Sequence, residues 1–391
     1  MEIICYICGT IVVPQYSYAM TTATITCHDV YNYGASLQAY ALQQVLGLCG
    51  IDNVIIDYKP PYLSTHFSFK QISSKYNKPG VRLLYYLYKF PGRVRALKRK
   101  RAFDAFTAER LKLTPTRYHN INELRQSPPI ADCYIAGSDQ IWNTLFPNGL
   151  DPAFYLDFCP EGSRKIAYAA SFATQKLHCD EQHTAQIARW IHAFDAISIR
   201  EASGLEILKG LNRKDGRTIL DPVFLLYKSA WDKIARKPKG FSEKQPYVLV
   251  YDCEIGDNLK DVAIETAKAY DAKICSINFK KSYASINLPY IGPDNFLWLI
   301  SNAECIVTNS FHATAFSVIF QRPFWVVPRS EAINSRIVDL LNSFSLSGRY
   351  RAIGKYHLPI DSPIFFDKAL QMMDIRRDLA LEFLTSAIYG K

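Results

Sequence analysis

From Thr24 the chain reads strand, loop, helix, strand. Thr24-Ile25-Thr26-Cys27 is a short β-type run, and Asn32-Tyr33-Gly34 is a polar turn. Ala35 to Leu46 carries Leu37, Tyr40, Ala41 and Val45 on one helical face, and Asn53 to Tyr58 is a second strand that Pro60-Pro61 stops. A strand–helix–strand opening favours a parallel sheet with helices on its faces. The alternation continues through strands at 131–136, 165–170, 196–199 and 219–224. After a Lys-, Gly- and Pro-rich stretch it resumes with strand Tyr247–Tyr251, helix Asn258–Tyr270 and strand Lys273–Ile277. Helix Asn295–Asn302, strand Glu304–Thr308, helix Phe311–Phe320 and strand Phe324–Val327 complete it. The expected architecture is α/β, with two Rossmann-like domains facing a cleft. Residues 20–226 form the first domain, 227–246 the linker and 247–391 the second, while 1–19 read as an N-terminal extension or as the product of a misassigned start before Met20.

Composition narrows the class. With 49% hydrophobic and 21% charged residues in 391, the chain can bury a sizeable core, which excludes disorder and fibrous repeats. No apolar run approaches the roughly 20 residues of a membrane-spanning helix, and Ile3 to Val13 lacks the basic flank of a signal peptide. The expectation is a cytoplasmic protein, soluble or peripheral. Lys and Arg number 46 against 36 Asp and Glu, a net charge of +10 that favours anionic partners. Ten cysteines are scattered singly apart from Cys5 and Cys8, as suits free thiols in a reducing compartment. No second pair stands at zinc-ligand spacing, so no metal is expected. Between Val81 and Arg101 an aromatic half (Leu83 to Tyr88) adjoins a basic half (Arg93, Arg95, Lys98 to Arg101). This is either a solvated surface helix or a contact with an anionic membrane. No nucleic-acid module accompanies the charge, and no nucleic-acid partner is expected.

Chemistry concentrates where strands end. In Val307-Thr308-Asn309-Ser310-Phe311-His312-Ala313-Thr314 a strand runs into polar residues, Ser310 can cap the next helix, and His312 falls in that helix's first turn. His312 either faces an anion there or satisfies a core hydrogen bond. Arg200 follows the strand Ala196–Ile199, where its guanidinium can hold a carboxylate or phosphate. An ordinary ion pair with Glu201 or Glu206 is the alternative. Asp139, in Gly137-Ser138-Asp139-Gln140-Ile141-Trp142-Asn143, is an acid, a base or a turn former. The Asn32-Tyr33-Gly34 loop lacks the glycines of a P-loop or dinucleotide fingerprint, which disfavours a nicotinamide or ATP cofactor.

Four motifs in register give a resemblance. Asn32-Tyr33-Gly34-Ala35-Ser36-Leu37-Gln38-Ala39, the Gly137–Asn143 segment, Asp221-Pro222-Val223-Phe224-Leu225-Leu226 and Thr308-Asn309-Ser310-Phe311-His312-Ala313-Thr314-Ala315-Phe316 resemble the polysaccharide pyruvyl transferase family from about Thr24 to about Arg349. The resemblance implies a fold of the glycosyltransferase B type and a site in the cleft. It implies transfer of the enolpyruvyl group of phosphoenolpyruvate, as donor substrate with no cofactor, onto two hydroxyls of a hexose, releasing phosphate. A 4,6-ketal on a galactose-like sugar, carried on a polyprenyl diphosphate during capsule or exopolysaccharide synthesis, is the expected product. It would place the protein at the inner face of the cytoplasmic membrane.

By the same resemblance His312, Arg200 and Asp139 are the catalytic candidates. Asn32, Tyr33, Gly34, Gln38, Ser138, Gln140, Trp142, Asn309, Ser310, Phe311, Thr314 and Arg336 are the substrate-binding ones. Some members carry Arg two places before this histidine, where Ser310 stands here; Arg336 and Arg349 are the candidate replacements, with a surface ion pair as the alternative for either. The rival readings are a glycosyltransferase that uses a nucleotide sugar and a non-catalytic glycan-binding protein on the same fold.

Overall fold

The computed structural model describes residues 20–64, 81–242, 245–329, 334–352 and 358–390. Ile3 to Val13, with Cys5 and Cys8, lies outside these residues. The first of two sheets has seven strands: β1 (Thr21–Ile25), β2 (Asp52–Tyr58), β3 (Leu113–Tyr118), β4 (Cys133–Asp139), β5 (Arg164–Ala170), β6 (Ala196–Ile199) and β7 (Arg217–Thr218). Their order is β3-β2-β1-β4-β5-β6-β7. The second has β8 (Tyr247–Tyr251), β9 (Lys273–Ile277), β10 (Ile286–Leu288), β11 (Cys305–Thr308) and β12 (Phe324–Val326), ordered β10-β9-β8-β11-β12. Every strand pairing is parallel.

Parallel neighbours need crossovers. The helices are α1 (Tyr33–Leu48), α2 (Pro61–Ser64), α3 (Val81–Arg110), α4 (Ile121–Gln126), α5 (Glu181–His192), α6 (Ala202–Gly210), α7 (Lys228–Ile234), α8 (Lys260–Ala269), α9 (Pro293–Ser301), α10 (Phe311–Ile319), α11 (Ser335–Ser343) and α12 (Asp367–Tyr389). Strand order reverses between β1 and β4 and again between β8 and β11. In open α/β sheets the crevice beyond such reversals is where ligands collect.

Three sequence expectations change. β1 begins and ends earlier than Thr24–Cys27, leaving Thr26 in the loop, where its hydroxyl donates to the Ser138 carbonyl at 3.0 Å. Residues 219–224 do not form a strand. Pro222 has no N–H for a ladder, and Asp221 accepts the Val223 N–H (3.1 Å), turning Pro222–Phe224 into a 3₁₀ turn. The stretch 227–246 holds α7, whose fully buried Trp231 donates to the Val223 carbonyl at 3.2 Å. After the second sheet, α12 returns to the first: Arg377 donates to the Phe224 carbonyl (2.9 Å) and Arg164 donates to that of Ala387.

One apolar cluster spans both sheets, and each sheet has a further cluster on its other face. Tyr33, at the start of α1, stacks on Phe296 of α9 with ring centroids 4.7 Å apart and the ring planes nearly parallel. Tyr251 meets the same two rings edge-on. Aromatic contact of this kind adds about 0.5–1.5 kcal/mol per pair beyond burial, so α1 is clamped against the second domain. That clamp brings the carboxyl ends of the two sheets together.

Candidate active site

The site is built on four loops that leave strands. β6 delivers Arg200, β4 delivers Ser138 and Asp139, the turn after β7 delivers Asp221, and the first turn of α10 delivers His312. Ser310 caps α10, its hydroxyl accepting the Ala313 N–H at 3.4 Å, and Asn32 caps α1 by accepting the N–H groups of Gly34 and Ala35. Gly137, at φ +135°, lets β4 turn where a Cβ would lie 2.0 Å from the Tyr168 carbonyl oxygen.

Asp221 is the hub. One carboxylate oxygen accepts from Arg200 Nη1 at 2.6 Å and lies 3.5 Å from both His312 Nε2 and the Ser138 hydroxyl. Burial pushes its carboxyl up, but His312 and Arg200 outweigh that and hold it well below the usual carboxylate range. Arg200 also donates to Asp139 at 3.3 Å. Its partners are therefore the two aspartates, not Glu201 or Glu206. Glu201 accepts the N–H groups of Phe172 and Ala173, and Glu206 pairs with Lys209.

A second guanidinium stands beside the first. Arg336, on α11, is buried, and burial followed by repulsion from Arg200 pulls its pKa down to about 10. Both guanidinium groups lie over the Phe311 ring, at 4.6 Å for Arg200 and 6.0 Å for Arg336. Arg336 finds a neutral acceptor in the Gln140 amide oxygen, at 3.0 and 2.6 Å once the amide is turned toward it. The Nε atoms of Arg200 and Arg336 are both buried without a hydrogen-bond partner. Both residues line a cavity of about 350 Å³, together with Phe311, Asp221 and Arg376. Two buried guanidinium groups with donors to spare are chemistry for an anion of more than one charge.

Sequence reasoning missed Asp221 as a site residue, although it opens one of the four motifs. The usable signal was an Asp-Pro step just beyond a strand, which forces a tight turn at the sheet's carboxyl edge. Of the sequence-predicted residues, Arg200, Asp139, His312, Ser138, Gln140, Phe311 and Arg336 come together here. Gly34 lies against the His312 ring. Gln38 supports the site from beneath, accepting the Ser138 N–H (3.1 Å) and donating to Thr26 (2.8 Å).

The others serve structure. Trp142 is fully buried and donates to the Phe154 carbonyl at 3.0 Å. Tyr33 belongs to the interdomain aromatic stack. Thr314 donates to the Ser310 carbonyl (2.9 Å), while Asn309 donates to Asp252 (2.7 Å) and accepts the Cys253 N–H (2.8 Å). Arg349 donates to the carbonyls of Ser362 and Pro363 and covers Trp325, away from the site.

This fold and this cationic, histidine-bearing cleft define a two-domain α/β protein of the glycosyltransferase B type. A protein described as a UDP-N-acetylglucosamine 2-epimerase from Listeria monocytogenes is similar in fold, with a TM-score of 0.52, 8% identity, and 94% of this chain and 90% of that one covered. A UDP-glucosyltransferase from Polygonum tinctorium is similar at a TM-score of 0.43 and 9% identity, covering 96% of this chain and all of that one. No curated protein matches the sequence. The family model for polysaccharide pyruvyl transferase matches residues 32–331, and the chain belongs to that family. It is accordingly a transferase of polysaccharide biosynthesis.

Proposed function

We propose that the protein is a phosphoenolpyruvate-dependent ketal pyruvyltransferase. The observation that supports this reading best is the pair of buried, donor-rich guanidinium groups, Arg200 and Arg336, beside the His312–Asp221 pair. Phosphoenolpyruvate carries a phosphate and a carboxylate, and two arginines with unused donors suit that combination. Arg336 then takes the place of the arginine missing at Ser310.

The chemistry asks for a proton at the donor's methylene carbon and for stabilised charge at its neighbour. Asp221 is anchored as an anion and is unsuited to give a proton. It orients His312 from 3.5 Å, and His312 is the group that carries a proton to the methylene carbon or to the departing phosphate. A sugar hydroxyl bonds to the donor's central carbon as the methylene gains a proton. A second hydroxyl of the same hexose then displaces phosphate from that carbon and closes the cyclic ketal. Asp139, tethered to Arg200, serves the acceptor hydroxyl as base or ligand.

The acceptor in this reading is a galactose-like hexose modified at its 4- and 6-hydroxyls, bound to a polyprenyl carrier and destined for a capsule or exopolysaccharide. Among the described residues no helix is long and apolar enough to cross a membrane. α3 instead turns Phe90, Val94, Lys98 and Arg101 outward, a mixture that suits a peripheral contact with anionic lipid.

Phosphate release from phosphoenolpyruvate with a panel of aryl hexosides tests the reading, run beside His312→Ala and Arg200→Ala. Turnover that both substitutions abolish supports it. No turnover with any acceptor, together with binding of a nucleoside diphosphate sugar, overturns it in favour of glycosyl transfer.

A further inference from the structure

A second cavity, of about 390 Å³, opens between the domains at the carboxyl ends of β1, β8 and β9. Arg99 and Arg329 line it, with Tyr31, Phe279 and Cys253 between them. Arg99 reaches in from α3. It donates to the Asn278 amide oxygen (2.8 Å) and the Tyr31 carbonyl (3.0 Å), and its guanidinium covers the Tyr33 ring at 4.9 Å. These acceptors are neutral, and no carboxylate among the described residues pairs with Arg99.

Arg329 donates to the Asn309 carbonyl at 3.0 Å, which ties this cavity to the segment that ends in His312. Burial works against the Arg329 charge, while the neighbouring Cys253 sulfur, then Tyr251 and Glu254, more than offset that. Burial drives the Tyr251 hydroxyl up, and the charges of both Arg99 and Arg329 act on it in the opposite sense, so the two cations share one neighbourhood. The buried Asp252, next to Cys253 in sequence, is already spent on Lys281 at 2.7 Å.

We propose that this second cavity binds the phosphate or diphosphate group of the acceptor, clamped between Arg99 and Arg329. Calling the ligand an acceptor rests on pyruvyl transfer as the function; the anion site does not. A two-substrate reaction whose donor anion fills the first cavity leaves this one to the other substrate. Its link through Asn309 brings that substrate's sugar toward His312. The half-buried Phe279 ring offers an apolar face to the sugar or the chain beside the phosphate.

Cys253 reports occupancy in the unaltered protein. Alkylation of Cys253, followed by mass spectrometry of its peptide, is measured with inorganic diphosphate and with sodium chloride at matched ionic strength. At ten times its dissociation constant, diphosphate is expected to slow Cys253 alkylation about tenfold, while chloride leaves it unchanged. Arg99→Met is expected to weaken this protection by about 10- to 100-fold, the loss of a charged hydrogen-bonding group. In Arg336→Met protection persists. Alkylation that diphosphate does not slow, or protection that survives Arg99→Met and vanishes in Arg336→Met, overturns the proposal.

Two further arms separate the sources of the phosphate. Protection by phosphatidylcholine vesicles carrying a polyprenyl diphosphate, and not by plain vesicles, identifies a lipid-borne acceptor. Protection by a soluble sugar diphosphate alone identifies a free one. Phosphate release from phosphoenolpyruvate with aryl hexosides, which carry no phosphate, fails or succeeds independently of these results.

Discussion

Gly34 of the first domain and His312 of the second are in direct contact: a Cβ built on Gly34 would come within 1.9 Å of His312 Nδ1. The absence of a side chain at one helix start is what lets the imidazole of the other helix lie flat against it and reach Asp221. Catalytic placement here depends on the domain junction, and the aromatic clamp of Tyr33 on Phe296 holds that junction.

Gly34→Ala follows from this contact. The methyl group must push His312 aside, and a displacement of about 1 Å in a reacting group costs on the order of 100-fold in rate. Phosphate release at saturating donor is expected to fall by about that factor, with donor KM little changed because Arg200 and Arg336 stay in place. An unchanged kcat would show that His312 does not depend on this packing.

Asp221→Asn removes the carboxylate that holds Arg200. Breaking one partner out of a buried ion pair costs about 3–5 kcal/mol, so a large drop in Tm is expected along with loss of turnover. The pH dependence has a definite sign. The folded-state pKa of Asp221 lies below its unfolded value of about 3.9, so its contribution is complete above that value and is lost as pH falls through the folded pKa. Thermal unfolding followed from pH 7 down to about pH 2 should show wild-type Tm starting to fall below about pH 4 and still falling at the acid limit. Asp221→Asn should be flatter there, and parallel curves would sink the assignment.

Much of this arrangement was legible in the sequence, and the exceptions have physical causes. Strands such as Lys273–Ile277 and helices such as Phe311–Ile319 announce themselves because apolar period and capping agree. The run Ile219–Phe224 looks like a strand by hydropathy. Asp221 capping its own turn and Pro222 lacking a donor override that, and the same turn creates the hub of the site. Arg200 was identifiable by its place after β6, but its partners were not, since Asp139 and Asp221 lie 61 and 21 residues away in sequence. Trp142 and Tyr33 stand in motifs beside site residues and are nonetheless packing residues, a distinction that only burial reveals.

Arg349→Ala separates the two arginines considered as replacements for the one missing at Ser310. Arg349 binds the carbonyls of Ser362 and Pro363 and covers Trp325, so its loss is expected to lower Tm while leaving donor KM at the wild-type value. A rise in donor KM without loss of Tm would reassign it to the site.

Arg336→Met should behave in the opposite way. Burial and the neighbouring Arg200 destabilise its charge, pulling its pKa down to about 10, so the penalty is present throughout the pH range below that value. An anion that binds both guanidinium groups relieves it. In the wild type, phosphoenolpyruvate at 100 times its dissociation constant should stabilise the fold by about 2.7 kcal/mol, read as a rise in Tm. In Arg336→Met the unliganded Tm should be no lower than wild type, the donor-induced rise should be lost, and kcat/KM should fall by about 30- to 1000-fold, the equivalent of about 2–4 kcal/mol of transition-state binding. A variant that loses unliganded stability but keeps its response to the donor would make Arg336 a structural cation and return the donor site to Arg200 alone.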